Sequence, residues 1–421
     1  MKIRLWFVLS VTACAVSWVY MHRVLLPWEY YSNVQPHGRL KAMLGDLYPR
    51  WVGTRELLLH GKNPYSTEVS HEIQMAYYGH SIEQTYDKPP IQIFDEQRFV
   101  YPIYVAFLLA PAVHMEFDQL NAWAAAVLVT LTAIGLWLWT RVLRWRPPPL
   151  AMAALILFVL ASPQLGQGLR LRQPGLFVAF LLALGCWCVS RDRYFAAGVV
   201  LSLATIKPQM VILSLVWFTL WCLGDFRKRW PLAIGFFGSL TLLISAGEVL
   251  VPGWPRYFLE AMNAYRKYFP ITPLLRLILG NLLGIIASIA IVAGLLALGW
   301  RNRKVATNSP QFVRMLSLFL IVSCIVLPLL PPSNQVLLFL PVIMLIRDWR
   351  ELPRFWRWLL AVVLAWPWIV ELVLLAHPPR IDSMDRWPLL PSVLTLVVPL
   401  LALTLTLAQR DRRPTAIARL S

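Results

Sequence analysis

A chain of 421 residues that is 58% hydrophobic and 14% charged, with mean hydropathy +0.60, is too apolar for a soluble globular protein, whose apolar share sits nearer ~45–50%. The net charge of +18 does not point to nucleic acid, because the basic residues gather between apolar runs, at Arg141 to Arg146, Arg227 to Arg229, Arg301 to Lys304, Arg347 to Arg357 and Arg410 to Arg413. That is the pattern of cytoplasmic loops in a membrane protein.

Lys2 and Arg4 precede an apolar run from Leu5 to Leu26. Val11-Thr12-Ala13-Cys14 faintly resembles a lipoprotein cleavage box, but the run continues past Cys14 and many spans follow. It reads as an uncleaved first transmembrane helix with a cytoplasmic N-terminus. Residues 27–98 then carry nine Asp/Glu against seven Lys/Arg, which assigns this first loop to the extracytoplasmic side. Leu57, Leu58, Leu59, Ile73 and Met75 make it apolar enough for short helices on the membrane surface.

Apolar runs follow at 99–113, 119–140, 149–168, 174–190, 195–223, 231–251, 278–300, 311–330, 334–346, 356–376 and 389–408. Runs of roughly 17 to 25 residues fit a ~30 Å hydrocarbon layer, where a helix satisfies the backbone internally. The expected fold is an all-α, polytopic transmembrane helical bundle of about 11–13 spans, forming one domain over residues 1–421. Lys207-Pro208 breaks the 195–223 run into two short helices. One conflict stands: if 99–113 and 119–140 both cross, the Arg141 to Arg146 cluster falls on the outer side. A second outer loop, 252–277, interleaves Trp254, Tyr257, Phe258, Tyr265, Tyr268 and Phe269 with Arg256, Arg266 and Lys267, as in an interfacial helix. The basic tail, 409–421, is expected in the cytoplasm.

The segment Lys41 to Tyr65 holds the leading candidate for chemistry. Asp46 follows the first span by about twenty residues and is flanked by Leu47, Tyr48 and Trp51. A partly desolvated carboxylate has a raised pKa and accepts protons better. A solvated loop aspartate, or a cap for a helix starting near Pro49, is the alternative reading. Lys207 is the second candidate, since an ionisable residue in an apolar span is costly, by at least ~2.5 kcal/mol; a lysine snorkelling to the interface is its alternative. Arg170, Arg172, Arg266 and Lys267 could grip a lipid phosphate or anchor to headgroups. Glu56, Asp87, Asp95 and Glu96 are candidates for sugar hydroxyls, or solvated surface groups. Asp382 and Asp385 lack a third ligand, the five cysteines sit in apolar runs, and the histidines show no zincin spacing, so no metal site is expected.

The motifs Asp46-x-Tyr48-x-x-Trp51, Leu57-Leu58-Leu59-x-Gly61-x-Asn63-Pro64-Tyr65, Phe99-x-Tyr101-Pro102, Ala110-Pro111, Gly166-Gln167-Gly168 with Gln173-Pro174-Gly175, and Ala197-Gly198 leading to Ile206-Lys207-Pro208 resemble glycosyltransferase family 87. These are GT-C membrane enzymes, similar to polyprenyl-phosphate-mannose-dependent mannosyltransferases. The resemblance runs over about residues 40 to 345. It implies Asp46 as the catalytic base; the candidate substrate-binding residues around it are then Tyr48, Trp51, Tyr65, Tyr101, Asp95, Glu96, Gln167, Lys207 and the basic residues named above, with Asn334 and Gln335 expected at the far wall. Tyr101-Pro102-Ile103 replaces the family's Tyr-Pro-Pro, and Pro331 to Gln335 replaces a Ser/His-containing motif.

The resemblance further implies a multi-pass inner (cytoplasmic) membrane enzyme. It would move a hexose such as mannose from a polyprenyl-phosphate donor to a lipid or glycan acceptor on the outer face, with inversion and no cofactor. The donor's leaving group is already a weak base, as phosphate has a second pKa of ~6, so one general base suffices. The alternatives are a transporter or flippase of a lipid-linked sugar, which would show charges spread over several spans or an internal repeat, and a non-catalytic relative in envelope glycan assembly.

Overall fold

The computed structural model describes residues 2–27, 44–79, 81, 96–268, 272–329, 331–377 and 389–408. Among them there are eighteen α-helices and no strand. In chain order these are α1 (Lys2–Tyr20), α2 (Leu47–His60), α3 (Thr67–Tyr78), α4 (Val105–Leu109), α5 (Phe117–Val142), α6 (Pro149–Leu160), α7 (Pro163–Arg170), α8 (Pro174–Ser190) and α9 (Tyr194–Leu203). They continue with α10 (Pro208–Gly224), α11 (Phe226–Leu250), α12 (Trp254–Tyr268), α13 (Leu274–Leu279), α14 (Asn281–Arg301), α15 (Pro310–Val326), α16 (Phe339–Arg347), α17 (Arg354–Ala376) and α18 (Leu389–Ala408).

Five helices are long and apolar enough to cross a membrane: Ile3–Leu25, α5, α11, α14 and α17. The pair α6 and α7, bent by 63° at its break, makes a sixth if it is one span. Six more apolar helices have 10–17 residues. The apolar runs are thus present as helices, but fewer than 11–13 are long enough to cross alone. Proline is the reason, since Pro163, Pro174, Pro208, Pro310 and Pro332 each stand in a first helical turn. There the missing N–H costs nothing, whereas inside a helix it would break the ladder. A 17-residue helix extends only about 26 Å.

The 99–113 run forms just the five-residue α4 and a 3-10 turn, Ala110–Ala112. It is too short to cross, so the conflict over Arg141 to Arg146 disappears: α5 is the one long helix between the first loop and that cluster. The break at Lys207 is present, with α9 and a 3-10 turn, Ala204–Ile206, before it and α10 after it. Lys207 itself is non-helical, at φ −130° and ψ 75°. The loops carry helices of their own, α2 and α3 in the first and α12 and α13 in the second. The 409–421 tail lies outside the described residues.

Within a largely aliphatic core, an aromatic cluster ties α10 to α15: Trp217 lies tilted against Phe312 at a centroid distance of 5.8 Å, Trp221 meets it edge-on at 5.3 Å, and Trp217 also meets Phe319 at 5.7 Å. Helices α9 and α11 approach closely through Gly198 and Gly235, where a Cβ would stand 2.3 Å from Leu232 O and from Phe195 O respectively. Small residues at such crossings let two backbones pack without a side chain between them. At the break between α6 and α7 the freed carbonyl of Ala161 accepts from Trp368 Nε1 at 3.1 Å, with Ser17 Oγ at the same distance.

Candidate functional site

Asp46 stands at the N-cap of α2, but its carboxylate caps nothing there. Its backbone N–H instead donates to Leu171 O at 2.9 Å, in the turn between α7 and α8. The approach depends on Gly45, at φ +55°, where a Cβ would lie 3.0 Å from Leu171 O. Tyr77 Oη donates to Gly45 O from α3 and fixes the same point. The half-buried Asp46 is thereby pinned against the α7–α8 turn, and both the helix-cap and the free-loop readings fall away.

That turn presents Gln173. Its backbone N–H donates to Gly168 O at 2.8 Å, Pro174 follows it at the start of α8, and Arg172 before it takes a left-handed φ of +50°. Gln173 Nε2 donates to Asp46 Oδ2, while Gln173 Oε1 accepts from Lys207 Nζ at 2.9 Å. Lys207 Nζ also donates to Asn334 Oδ1 at 2.7 Å. An ammonium only donates and a carboxylate only accepts, so a single amide orientation bridges the two. Asn334 belongs to the 3-10 helix Pro332–Leu338. That element is held by Gln167 of α7, whose Oε1 accepts from Ser333 N at 3.0 Å. Lys207, Gln173 and Asn334 are all buried. Burial pushes the Asp46 carboxyl above its ordinary range, against the downward pull of the positive charges on Arg50 and Lys207. A carboxylate so placed can take a proton near neutral pH more readily than a solvated one.

Arg50, one turn along α2, donates from Nη2 to Arg172 O at 2.7 Å and lies over the Tyr101 ring at 4.9 Å. Tyr65 Oη donates to Tyr101 O at 2.6 Å, and its ring stacks on Tyr257 of α12 at 6.5 Å. The second loop thus reaches the first through Tyr65. Tyr104 carries a further link, with its hydroxyl 2.8 Å from Thr205 Oγ1 and its ring edge-on to Trp254 at 5.8 Å.

The sequence-derived residues fall into separate groups. Asp46, Lys207 and Asn334 share one polar chain, with Gln167 supporting its far wall. Trp51 is buried, donates from Nε1 to Ala112 O at 3.1 Å and packs on Phe117 at 5.4 Å. Tyr48 sits edge-on to Phe117 at 4.9 Å and to Tyr77 at 5.8 Å. Arg172 folds back on the carbonyls of Leu169, Arg170 and Asn121, so its guanidinium secures the turn. Arg170 lies within electrostatic reach of Tyr20. Glu96 is buried beside Arg98, 3.2 Å away, and is tied to α3 by Gln74 Nε2 at 2.9 Å. Arg266 is on the exposed face of α12. Asp95 and the Lys267 side chain lie outside the described residues, as do Asp87, Asp382 and Asp385. Gln335 is buried at the rim of an apolar groove bounded also by Ser162, Gln164, Phe339, Ile343, Val363 and Trp368. The groove is narrow, with a free volume of about 60 Å³.

Sequence reasoning gave no role to Gln173 or Arg50. Gln173 was visible only as the first residue of the motif Gln173-Pro174-Gly175, and Arg50 only as a basic residue four positions after Asp46, on the same helical face.

Compared with known proteins, the chain matches a family model for glycosyltransferase family 87 over residues 99–328, more than half of its length. The chain belongs to glycosyltransferase family 87. It is therefore a membrane glycosyltransferase, a class that handles lipid and glycan substrates. No curated protein and no solved structure matches it. The matched stretch of this family 87 member holds Tyr101, Gln167, Gln173 and Lys207, while Asp46 and Asn334 flank it. Those two are joined to it by the side-chain bridges just described.

Proposed function

We propose that this glycosyltransferase moves a hexose, mannose-like, from a polyprenyl-phosphate donor to a hydroxyl of a lipid or glycan acceptor, inverting the anomeric centre. The observation that carries the reading is the chain Asp46–Gln173–Lys207–Asn334, which sets one carboxylate and one buried ammonium either side of a single amide. In the reaction the acceptor oxygen bonds to the anomeric carbon and gives its proton to Asp46. The bond from that carbon to the phosphate oxygen breaks, and its electron pair leaves with the phosphate. Lys207 keeps one N–H beyond those given to Gln173 and Asn334, and its charge favours the departing phosphate. No cofactor is needed, because the phosphate is a competent leaving group.

The apolar groove lined in part by Gln335, the residue after Asn334, offers an apolar surface for the start of an isoprenoid chain. Acidic excess in the first loop and basic clusters beyond the other ends of the spans favour an extracytoplasmic site in the inner (cytoplasmic) membrane. Membrane vesicles supplied with a polyprenyl-phosphate mannose donor test the reading. Asp46→Asn is expected to abolish transfer while lipid translocation is unchanged. Loss of translocation would favour a flippase, and failure of the purified wild type to transfer sugar from any polyprenyl-phosphate donor would refute the proposal.

A further inference from the structure

Arg50 is 3% exposed, yet its guanidinium is underused. Of five N–H donors it commits one hydrogen bond, from Nη2 to Arg172 O. Its Nε is buried with no acceptor among the described residues, and no carboxylate hydrogen-bonds to it. One face is covered by the Tyr101 ring at 4.9 Å, which holds the plane of the fork. A buried cation with unmatched donors is costly unless an anion completes it, and the planar guanidinium fits two oxygens of a phosphate at once. Lys207 contrasts with this, since its ammonium is already held by two amide oxygens.

We propose that Arg50 is the residue that grips the donor's monophosphate in the active centre, holding its non-bridging oxygens with its uncommitted N–H groups while Lys207 adds charge on the leaving side. The assignment rests on the polyprenyl-phosphate reading above. Asp46 and Arg50 also share one setting, at the N-cap and in the first turn of the same helix, and both bond the α7–α8 turn, Asp46 through its N–H to Leu171 O and Arg50 through Nη2 to Arg172 O. When the bond from the anomeric carbon to the bridging oxygen breaks, its electron pair stays with the phosphate, whose added charge Arg50 holds through the non-bridging oxygens, while the acceptor's proton goes to Asp46.

Binding to the purified full chain in nanodiscs tests this without needing the acceptor. The probes are a polyprenyl monophosphate, the neutral polyprenol of the same length and inorganic phosphate, each titrated against the thermal midpoint. Wild type is expected to bind the lipid phosphate well above the alcohol, with inorganic phosphate a weak competitor. Arg50→Gln should weaken the lipid phosphate by about 10- to 100-fold, the range for hydrogen bonds to charged groups, and leave polyprenol binding unchanged. Arg50→Lys keeps the charge without the fork. It should lose several-fold, and it serves if Arg50→Gln fails to fold. Wild-type affinity in both variants would overturn the inference and leave the donor reading intact, more so if Lys207→Met alone loses binding. Wild type that does not distinguish the phosphate from the alcohol would overturn both. Inorganic phosphate binding as tightly as the lipid would assign the site to a free anion and overturn the donor-headgroup role.

Discussion

Replacing Gln173 by Met keeps the length and volume of the side chain but removes both ends of the bridge between Asp46 and Lys207. Two charge-assisted hydrogen bonds are lost, from Gln173 Nε2 to Asp46 Oδ2 and from Lys207 Nζ to Gln173 Oε1. Hydrogen bonds to charged groups contribute about 1.5–3 kcal/mol each. The bond to Asp46 stabilises its ionised form, so losing it shifts the carboxyl upward by about 1–2 pH units at 1.36 kcal/mol per unit. Burial already holds Asp46 above its ordinary range. As a base it works only when ionised, so activity should climb with pH through this raised value, and the climb should begin higher in the variant.

The assay is the pH dependence of kcat/KM for sugar transfer, wild type against Gln173→Met. The expected result is an acid limb displaced toward higher pH by about 1–2 units, with activity at the alkaline plateau largely recovered. A uniform loss with an unmoved limb would refute the role given to the amide. The same linkage acts on stability. A carboxyl that holds its proton more tightly when folded stabilises the fold at low pH, and that contribution disappears as pH rises through the folded value.

Two further outcomes separate positioning from packing. Gly45→Ala forces a side chain into a left-handed backbone with Leu171 O 3.0 Å away. It should cost about 1–2 kcal/mol and lower kcat more than donor KM by shifting Asp46, as read from thermal midpoints and kinetics together. Trp51→Phe loses the bond to Ala112 O together with part of a buried ring that packs on Phe117. It should lower stability by about 1–3 kcal/mol with donor KM unchanged; a raised KM would place Trp51 at the substrate pocket.

The amino-acid sequence by itself determined the membrane class, the helical fold and most helix positions, because apolar runs of helical length admit one backbone solution in a bilayer. It also marked the Lys207-Pro208 break and the Asp46 loop, since ionisable residues beside apolar stretches stand out in one dimension. Helix lengths were less legible. Prolines at helix starts cut runs that hydropathy reads as continuous, and they turned 99–113 into a short helix and a 3-10 turn. What only the tertiary structure decided is the company Asp46 keeps. Gln173 lies 127 residues away in sequence, and Asn334 is again 127 residues from Lys207. Arg50 carries a role only once Arg172 and Tyr101 are folded against it. Periodicity tells which way a helix faces, but a bridge between a carboxylate and an ammonium depends on where four separate elements meet, and packing fixes that.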